Sequence, residues 1–397
     1  MHEVGRKMLE RFLNIGENDV SVIEGRYRRV GKLKKTIVTV LGKVTINREY
    51  YYDRKKKEGI CPRDKQLDVE GTMFSPGMRR MMSRVGAYRA FELGQEDIEE
   101  LAGVHVTAKE VERVAETMGK EAKEYLEQKE SRIGPSDDTI KVMYASMDGT
   151  GVPVRKEETE GRHGKGPDGQ ARTREVKLGC VFTQTGVDKD GFAVRDEMST
   201  TYVGAIESVE EFEKRISQEL YTRGVERAKK VCVLGDGAPW IWNIAKTVMP
   251  GAIEIVDLYH AREHYWAVAK LYFGRDEKRR NRWSERRKKE LDNGEVEKVI
   301  KAIKSLRART EEQVETRRRE SNYFETNKER MRYGYYRLQG LFVGSGVIES
   351  GCRSLIGQRL KQSGMHWSVR GANDIVALRC CLFSGLWEDF WAYRAAA

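Results

Sequence analysis

Residues 231–256 read VCVLGDGAPWIWNIAKTVMPGAIEIV, and this pattern decides the predicted fold. Residues 231–234 are a short, fully apolar run that predicts a strand, and the run ends at Gly235, Asp236 and Gly237. Residues 240–249 then predict a helix, and residues 253–256 predict a second strand. A strand, a helix and a strand in this order are typical of an α/β core.

Three further strands are predicted upstream of this stretch. Residues 140–147 end at an Asp-Gly pair, Asp148 and Gly149. Residues 176–184 and 192–203 also have the β-branched and apolar content of strands. Ser208 is followed three residues later by a glutamate, which is a capping box and predicts the start of a helix.

The N-terminal region combines a predicted hairpin with predicted helices. Residues 35–52 alternate apolar and polar side chains around a Leu-Gly pair, as two antiparallel strands do. Residues 76–128 have helical spacing, with a capping box at Thr107. The helices fit a helix-turn-helix whose residues 109–120 read DNA, with Lys109 and Arg113 as contacts. An ordinary helical hairpin explains the same pattern equally well.

Breaker residues and charge suggest where the chain divides. A cluster at 133–138, IGPSDD, marks a boundary, and a second break occurs at 344–346. Between residues 275 and 337 there are 21 Lys plus Arg against 13 Asp plus Glu, a net charge of +8 in a nearly all-helical segment. The predicted divisions are an N-terminal α/β DNA-binding region at 1–135, the first part of an α/β core at 136–262, an all-α insertion at 263–343 and the C-terminal helices of the core at 344–397.

Bulk composition limits the class of protein. The chain has 397 residues, of which 39% are hydrophobic and 34% charged, and its net charge of +11 favours a polyanionic partner. No stretch approaches the roughly 18 apolar residues of a membrane helix, so we expect no membrane partner and a cytoplasmic, nucleoid-associated protein. The six cysteines form no CxxC pair, which argues against a disulfide framework and a zinc ribbon.

Three acidic residues are candidates for catalysis. Asp148 and Asp236 follow predicted strands, where open α/β sheets place their sites, and the adjoining glycines leave room for a metal or a phosphate. Two Asp-Gly turns are the alternative interpretation. Glu349 lies in the first turn of a predicted helix at 347–361, where a solvated glutamate is the alternative.

Three segments carry a resemblance to a known family. They are SMDGTGVPV at 146–154, the stretch at 233–266 that ends in DLYHAREHYW, and GSGVIESGCRSLIGQRLKQSGMHWSVRGANDIVALRCCLFSGLWEDFW at 344–391. They resemble the catalytic blocks of bacterial insertion-sequence DDE transposases of the Kra type. The stretch beginning at Asp257 is also similar to the D-x-x-H element of Mutator-related transposases. The resemblance covers roughly residues 141–391.

The resemblance implies a fold and a chemistry. The expected fold is an RNase H-like α/β core, with a helical insertion between the last strand and the helix that bears Glu349. Asp148, Asp236 and Glu349 would hold two Mg²⁺ ions, for which Mn²⁺ substitutes. Asp148 would bridge the ions, while Asp236 and Glu349 would each bind one. Relatives are expected to carry a paired-cysteine ribbon near the N-terminus, but only Cys61 is present there.

The reaction so implied is metal-dependent cutting and joining of double-stranded DNA, with terminal inverted repeats and target DNA as partners. Joining two ends in one event requires a homodimer or a higher oligomer on DNA. Alternatives are an RNase H-like nuclease without strand transfer and a DNA-binding repressor derived from a transposase. Further predicted DNA contacts, for which a solvated helix face is the alternative, are Arg279, Arg280, Trp283, Arg286, Arg287, Arg353, Arg359 and Lys361.

A histidine motif next to the core has a separate interpretation. His260, Glu263 and His264 match the H-x-x-E-H pattern of zinc peptidases, in which two histidines bind zinc and the glutamate acts as the base. The basic segment downstream favours DNA over a peptide substrate. We therefore expect His260 to lie near the active site or at the DNA, with a purely structural role as the alternative.

Overall fold

The computed structural model describes residues 2–15, 27–128, 139–164 and 169–396. The chain divides into two compact units, Met1–Ala122 and Lys123–Ala397. The predicted breaker cluster at 133–138, and with it the predicted boundary at residue 135, lies outside the described residues.

The first unit contains a small antiparallel sheet and short helices. The sheet has the order β1-β2-β3. The elements, in chain order, are α1 (His2–Ile15), β1 (Arg28–Thr39), β2 (Gly42–Asp53), β3 (Glu58–Ile60), α2 (Pro62–Gln66), α3 (Pro76–Tyr88), α4 (Phe91–Ala102) and α5 (Ala108–Gln128).

The hairpin predicted from alternation is confirmed. β1 and β2 pair in antiparallel register, with Ile37 opposite Val44. Both side chains, together with Ile46, are buried in a small core against which Leu9 and Leu13 of α1 pack. Alternation works here because successive side chains of a strand point to opposite faces and only one face is covered.

The predicted capping box of α5 is also confirmed. The Thr107 Oγ1 accepts a hydrogen bond from the Glu110 amide, and the Glu110 carboxylate accepts one from the Thr107 amide at 2.8 Å. These bonds satisfy amide donors that the first helical turn leaves unpaired. α4 ends at Gly103, whose φ of 62° is the left-handed conformation that glycine tolerates best.

The second unit is built on a mixed five-stranded sheet of order β10-β9-β4-β5-β8. β4 runs parallel to β9, and β9 runs parallel to β10, whereas β5 lies between β4 and β8 and is antiparallel to both. The strands of this unit are β4 (Ile140–Pro153), β5 (Thr173–Gln184), β6 (Gly186–Val187), β7 (Ala193–Val194), β8 (Thr201–Ala205), β9 (Ala228–Gly235) and β10 (Ile253–Val256).

Two strand predictions need correction. β4 does not end at residue 147, because it continues beside β5 as far as Pro153 after its pairing with β9 has ended at Ser146. The predicted strand at 192–203 is two strands, β7 and β8, separated by a turn. The Asp196 carboxylate in this turn accepts hydrogen bonds from Thr183 and Thr185 at the end of β5, which interrupts a continuous strand.

The helices complete a mixed α/β unit with a large helical portion, and α8 to α12 lie in sequence between the last strand and α13. Within the described ranges, no helix has both the length and the apolar composition needed to cross a membrane. The helices are α6 (Val209–Thr222), α7 (Pro239–Val248), α8 (Leu258–Phe273), α9 (Glu277–Asp292), α10 (Val296–Lys304), α11 (Glu311–Asn327), α12 (Tyr333–Leu338), α13 (Gly346–Gly351), α14 (Gln358–Leu360), α15 (Val369–Phe383) and α16 (Trp387–Ala396).

The helix predicted at 347–361 is widened in its middle. A π-helical segment, Cys352–Gly357, connects α13 to α14. The buried guanidinium of Arg379, on α15, donates hydrogen bonds to the main-chain carbonyls of Leu355 and Ser354 at 2.6 and 2.5 Å. A side chain that donates hydrogen bonds to the carbonyls of a helix favours a local departure from the α-helical hydrogen-bond pattern. α16 was not predicted from the sequence.

Gly351 allows α13 to lie close to the sheet. A Cβ atom at Gly351 would lie 2.7 Å from Cε1 of Tyr202 and 3.3 Å from Cδ2 of Leu178, whereas one at Gly346, at the start of the same helix, would meet no atom within 4 Å. We expect Gly351→Ala to lower the free energy of unfolding by about 1–3 kcal/mol, as overpacking does. Gly346→Ala should change it by less than about 0.5 kcal/mol. Urea denaturation of both variants measures this difference, and equal effects would contradict close packing at Gly351.

Candidate active site

Asp148 and Asp236 lie side by side where two neighbouring parallel strands stop pairing. Ser146 of β4 is opposite Leu234 of β9, and the Ser146 hydroxyl donates a hydrogen bond to the Leu234 carbonyl at 3.2 Å. Asp148 and Asp236 each follow this pair by two residues, so their side chains extend from the same face of the sheet. The sequence predicted that Asp148 lies at the end of a strand. In the structure it lies within β4, two residues after the last residue that pairs with β9.

The environment of Asp148 disfavours its negative charge. Burial raises the pKa of Asp148, and the neighbouring charge of Asp236 raises it further. A hydrogen bond from the Cys352 thiol, a hydrogen bond from the Gly149 amide and the positive charge of His260 act in the opposite direction, but the pKa stays above its ordinary value. Two carboxylates held together in a half-buried site attract a cation.

Glu349 is on the helix that lies against Asp148. It precedes Cys352 by three residues, so the two side chains share one face of the helix. Its carboxylate accepts a hydrogen bond from the Ser345 hydroxyl at 3.0 Å and is otherwise exposed. The contact between Cys352 and Asp148 therefore turns the face that carries Glu349 toward the carboxylate pair. Burial and the charge of Asp148 raise the pKa of the Cys352 thiol, so the thiol stays protonated and donates.

Asp257 connects this helix to the strand edge. It follows β10, is fully buried, and caps α8 by accepting a hydrogen bond from the His260 amide. Its second carboxylate oxygen accepts a hydrogen bond from the Ser345 amide. Its role as a connector was missed in the sequence, although an Asp three residues before a helical His is a recognisable helix cap.

A cluster of aromatic and charged side chains supports the loop that carries Asp236. The Tyr323 hydroxyl donates a hydrogen bond to the main-chain carbonyl of Asp236 at 2.8 Å. The His264 ring stacks on Tyr323 with centroids 3.6 Å apart, and its Nδ1 contacts the carboxylate of Glu320. Burial alone would raise the pKa of Glu320, but hydrogen bonds from His264 and Arg319 lower it overall.

The structure does not contain a complete metal-binding cluster. Among the described residues, no three His, Cys, Asp or Glu side chains form a group that could hold a metal ion. It brings Asp148 and Asp236 together with His260 nearby, and it places Glu349 on the adjoining helix. The three residues of the zinc-peptidase motif also do not form a metal-binding group among the described residues. The Glu263 carboxylate lies 3.6 Å from His260 Nδ1 and is largely exposed, and His264 contacts Glu320 and Tyr323 instead.

The predicted DNA contacts on α9 have differing environments. Arg287 is buried and pairs with Glu290 at 2.7 Å, and Trp283 packs against Phe273 inside the helical block, so both have structural roles. Arg280 is half-buried, and its guanidinium donates to the Gly274 carbonyl. Exposed cations remain along one face of the helix, namely Lys278, Arg279, Arg282, Arg286 and Lys289.

The predicted contacts on the helix after Glu349 also differ. Arg359, a predicted DNA contact, is fully buried in this structure, with its guanidinium over the ring of Trp367. Arg353 and Lys361 are exposed, and the Lys361 ammonium donates to the Thr150 hydroxyl, two residues from Asp148. On α5, Lys109 and Arg113 are exposed, and Lys109 pairs with Glu112 at 2.8 Å.

The fold and this site define an α/β protein with a large helical portion and a pair of carboxylates on neighbouring strands. The chain belongs to UPF0236, described as an uncharacterised protein family, which matches residues 1–390. It is similar to the "UPF0236 protein in vanSb 3'region" of Streptococcus gallolyticus, with 25% identity over 376 residues, 91% of this chain and 76% of that protein. Among solved structures it is similar to the Drosophila P element transposase strand transfer complex, with 10% identity, 84% coverage of both chains and a TM-score of 0.27. A likeness this weak does not establish a shared fold or function.

The raised pKa of Asp148 predicts that Asp148→Asn stabilises the metal-free protein. A carboxyl group whose pKa is raised by folding lowers stability when ionised. The destabilisation of the folded protein by ionised Asp148 has its full value above the raised pKa and disappears below 3.8, the pKa of an unperturbed Asp. We expect a gain on the order of 1 kcal/mol at pH 7 that shrinks as the pH falls. Thermal unfolding in EDTA across this pH range measures it. The exposed Asp190→Asn is the control, and an Asp148→Asn gain that is absent or independent of pH would contradict the electrostatic account.

Proposed function

We propose that this protein is a DDE-type DNA transposase, which cuts and joins DNA at the ends of an insertion sequence by metal-dependent phosphoryl transfer. The observation that carries the proposal is the pair of carboxylates, Asp148 and Asp236, on neighbouring parallel strands. Glu349 lies on a helix joined to Asp148 through Cys352. The three segments that resemble Kra-type catalytic blocks contain these three residues.

The architecture of the second unit supports an RNase H-like core. Its mixed sheet has three antiparallel strands followed by two parallel ones. The helical block from α8 to α12 comes between β10 and the helix that bears Glu349, as the resemblance implies.

The donor set fits a hard divalent cation. Mg²⁺ takes oxygen ligands and retains several waters, so two or three carboxylates suffice to bind it. When bound, two Mg²⁺ or Mn²⁺ ions would activate the attacking oxygen and stabilise the leaving oxygen. Glu349 is exposed, and the hydrogen bond that its carboxylate makes within the described ranges is with Ser345, so a change of side-chain rotamer would turn it toward the pair.

The remaining residues of the site orient and bind. The Cys352 thiol and the Gly149 amide fix the carboxylate of Asp148. The Ala238 amide fixes that of Asp236 by donating to Oδ1 at 2.8 Å. Lys361 presents an exposed ammonium beside Thr150, where it would contact a DNA phosphate next to the scissile bond. His260, close enough to Asp148 to lower its pKa, would stabilise the ionised carboxylate.

The partner so proposed is double-stranded DNA, both as element end and as target. The exposed cations of α9 would contact its backbone. Joining two ends in one event would require at least two protein chains on the DNA.

The proposal predicts Mg²⁺-dependent cleavage of duplexes that carry candidate element ends. Purified wild-type protein should nick or join these duplexes, and Asp148→Asn, Asp236→Asn and Glu349→Gln should each reduce the rate by at least about 100-fold. Duplex binding in EDTA should change little, because the carboxylates do not contribute to phosphate binding. Gel-resolved products and fluorescence anisotropy measure the two properties.

The control variant is Asp190→Asn, which removes an exposed carboxylate and should cleave like the wild type. Equal cleavage by Asp148→Asn would refute the assignment of the site. Cleavage without joining would favour a nuclease, and duplex binding without either reaction would favour a repressor. Activity that requires zinc and cuts peptides would favour the peptidase.

A further inference from the structure

The sheet of the first unit carries an unusual concentration of positive charge. Between Arg28 and Lys57 there are 11 Lys plus Arg and two acidic residues, so these 30 residues carry a net +9, compared with +11 for the whole chain. They form β1, β2 and the turn that leads into β3. β1 is an edge strand of the described sheet.

Two carboxylates of this region are each shared by two cations. Glu49 pairs with both Arg29 and Lys32, and Asp64 pairs with both Lys35 and Arg48. Seven further cations of residues 28–57 are exposed and have no acidic partner within the described ranges, namely Arg28, Lys34, Lys43, Arg54, Lys55, Lys56 and Lys57. Together these seven residues are called the sheet surface.

The predicted reading helix has a different charge balance. Residues 109–120 contain three cations and three glutamates, which leaves no net charge. Lys109 is paired with Glu112. A DNA duplex carries one negative charge per roughly 1.7 Å of its axis. A helix face without net charge therefore gains little electrostatic binding free energy from the duplex, whereas a surface of unpaired cations gains much.

We infer that the sheet surface, and not the helix at 109–120, is where the first unit binds the phosphate backbone of duplex DNA. This inference rests on the proposed function for the choice of DNA as the polyanion. The contacts are to phosphates, because lysine ammonium groups on a strand and a turn recognise charge and do not read base edges. Binding through this surface is therefore independent of sequence and strongly dependent on salt.

The test compares two triple variants of the full chain that remove the same charge. Lys34→Gln/Lys55→Gln/Lys56→Gln changes the sheet surface, and Lys109→Gln/Arg113→Gln/Lys120→Gln changes the helix. Fluorescence anisotropy with a labelled DNA duplex in EDTA gives affinity as a function of salt. The sheet triple should lose at least about tenfold in affinity near physiological salt, and its log–log salt slope should fall by about two to three. The helix triple should bind within about threefold of the wild type.

Each outcome bears on the inference separately from catalysis. An equal or larger loss in the helix triple would overturn it in favour of the helix, and tighter binding of a duplex RNA of the same length would overturn the choice of DNA. Because the binding assay contains EDTA, its result does not depend on catalysis. A wild type that binds through the sheet surface but does not cleave when Mg²⁺ is supplied would refute the proposed transposase and leave this inference intact.

An independent observation concerns Tyr323, and the geometry points to it as a positioning residue for Asp236. Its hydroxyl donates to the Asp236 carbonyl at 2.8 Å. The adjoining Gly237 has a φ of 106°, and a Cβ atom there would lie 2.8 Å from the Tyr323 ring. Tyr323 is itself fixed by the stacked ring of His264. The helical block thus holds the loop that presents one of the two paired carboxylates.

This second inference rests on the proposed metal chemistry and is tested by metal affinity. Tyr323→Phe keeps the ring and removes the hydrogen bond. Tyr272→Phe is the matched control, because the Tyr272 hydroxyl also donates to a main-chain carbonyl, that of Gln313, at 2.8 Å. Both variants should lower the melting temperature slightly. Only Tyr323→Phe should weaken Mn²⁺ binding, by about three- to tenfold, as followed by electron paramagnetic resonance.

If Tyr323→Phe binds Mn²⁺ as tightly as the wild type while Asp236→Asn loses Mn²⁺ affinity, the positioning role is overturned and the proposed function is not affected. Absence of Mn²⁺ binding in the wild type would refute the proposed metal site, and the role of Tyr323 with it.

Discussion

The placement of two carboxylates, Asp148 and Asp236, next to each other with Asp148 largely buried is the constraint on which the rest of the second unit depends. Parallel pairing of β4 and β9 brings the two groups together, and partial burial strengthens their interaction because it removes water that would screen it. Such a pair is unfavourable on its own, so the surrounding structure must hold it in place. An arrangement with this cost is typical of sites that bind a cation or move a proton.

Hydrogen bonds from distant parts of the chain hold the pair. The Cys352 thiol fixes Asp148, and Tyr323 fixes the loop that presents Asp236. Asp257 joins the start of α8 to the start of the Glu349 helix, so the first turns of both helices are held at the edge of the sheet. The helical block from α8 to α12 therefore contacts the site through Tyr323, and the C-terminal helices contact it through Cys352. A substitution in either region can alter the positions of the two carboxylates.

Periodicity in the sequence predicted most of the elements but few of the contacts. β9, α7 and β10 were predicted within about three residues, because an apolar run, a helical spacing and glycine or proline stops are local signals. The extent of β4 was not predictable, since it is set by how far β5 continues beside it. The division of residues 192–203 depends on Asp196 bonding to another strand. The two paired aspartates, Asp148 and Asp236, were located by their Asp-Gly pairs, whereas Asp257, Cys352 and Tyr323 contact neighbours that are remote in sequence.

The basic residues illustrate why composition alone does not locate an interface. Arg287 and Arg359 belong to charge-rich stretches, yet the first neutralises Glu290 in the interior and the second lies over Trp367. A buried guanidinium that pairs with a carboxylate or lies over an aromatic ring is not accessible to an anionic partner. In the first unit the balance is reversed, because β1, β2 and the turn after β2 have many cations and only two acidic groups. Which cations are available to a polyanion thus depends on where the acidic side chains lie, and that depends on the strand register.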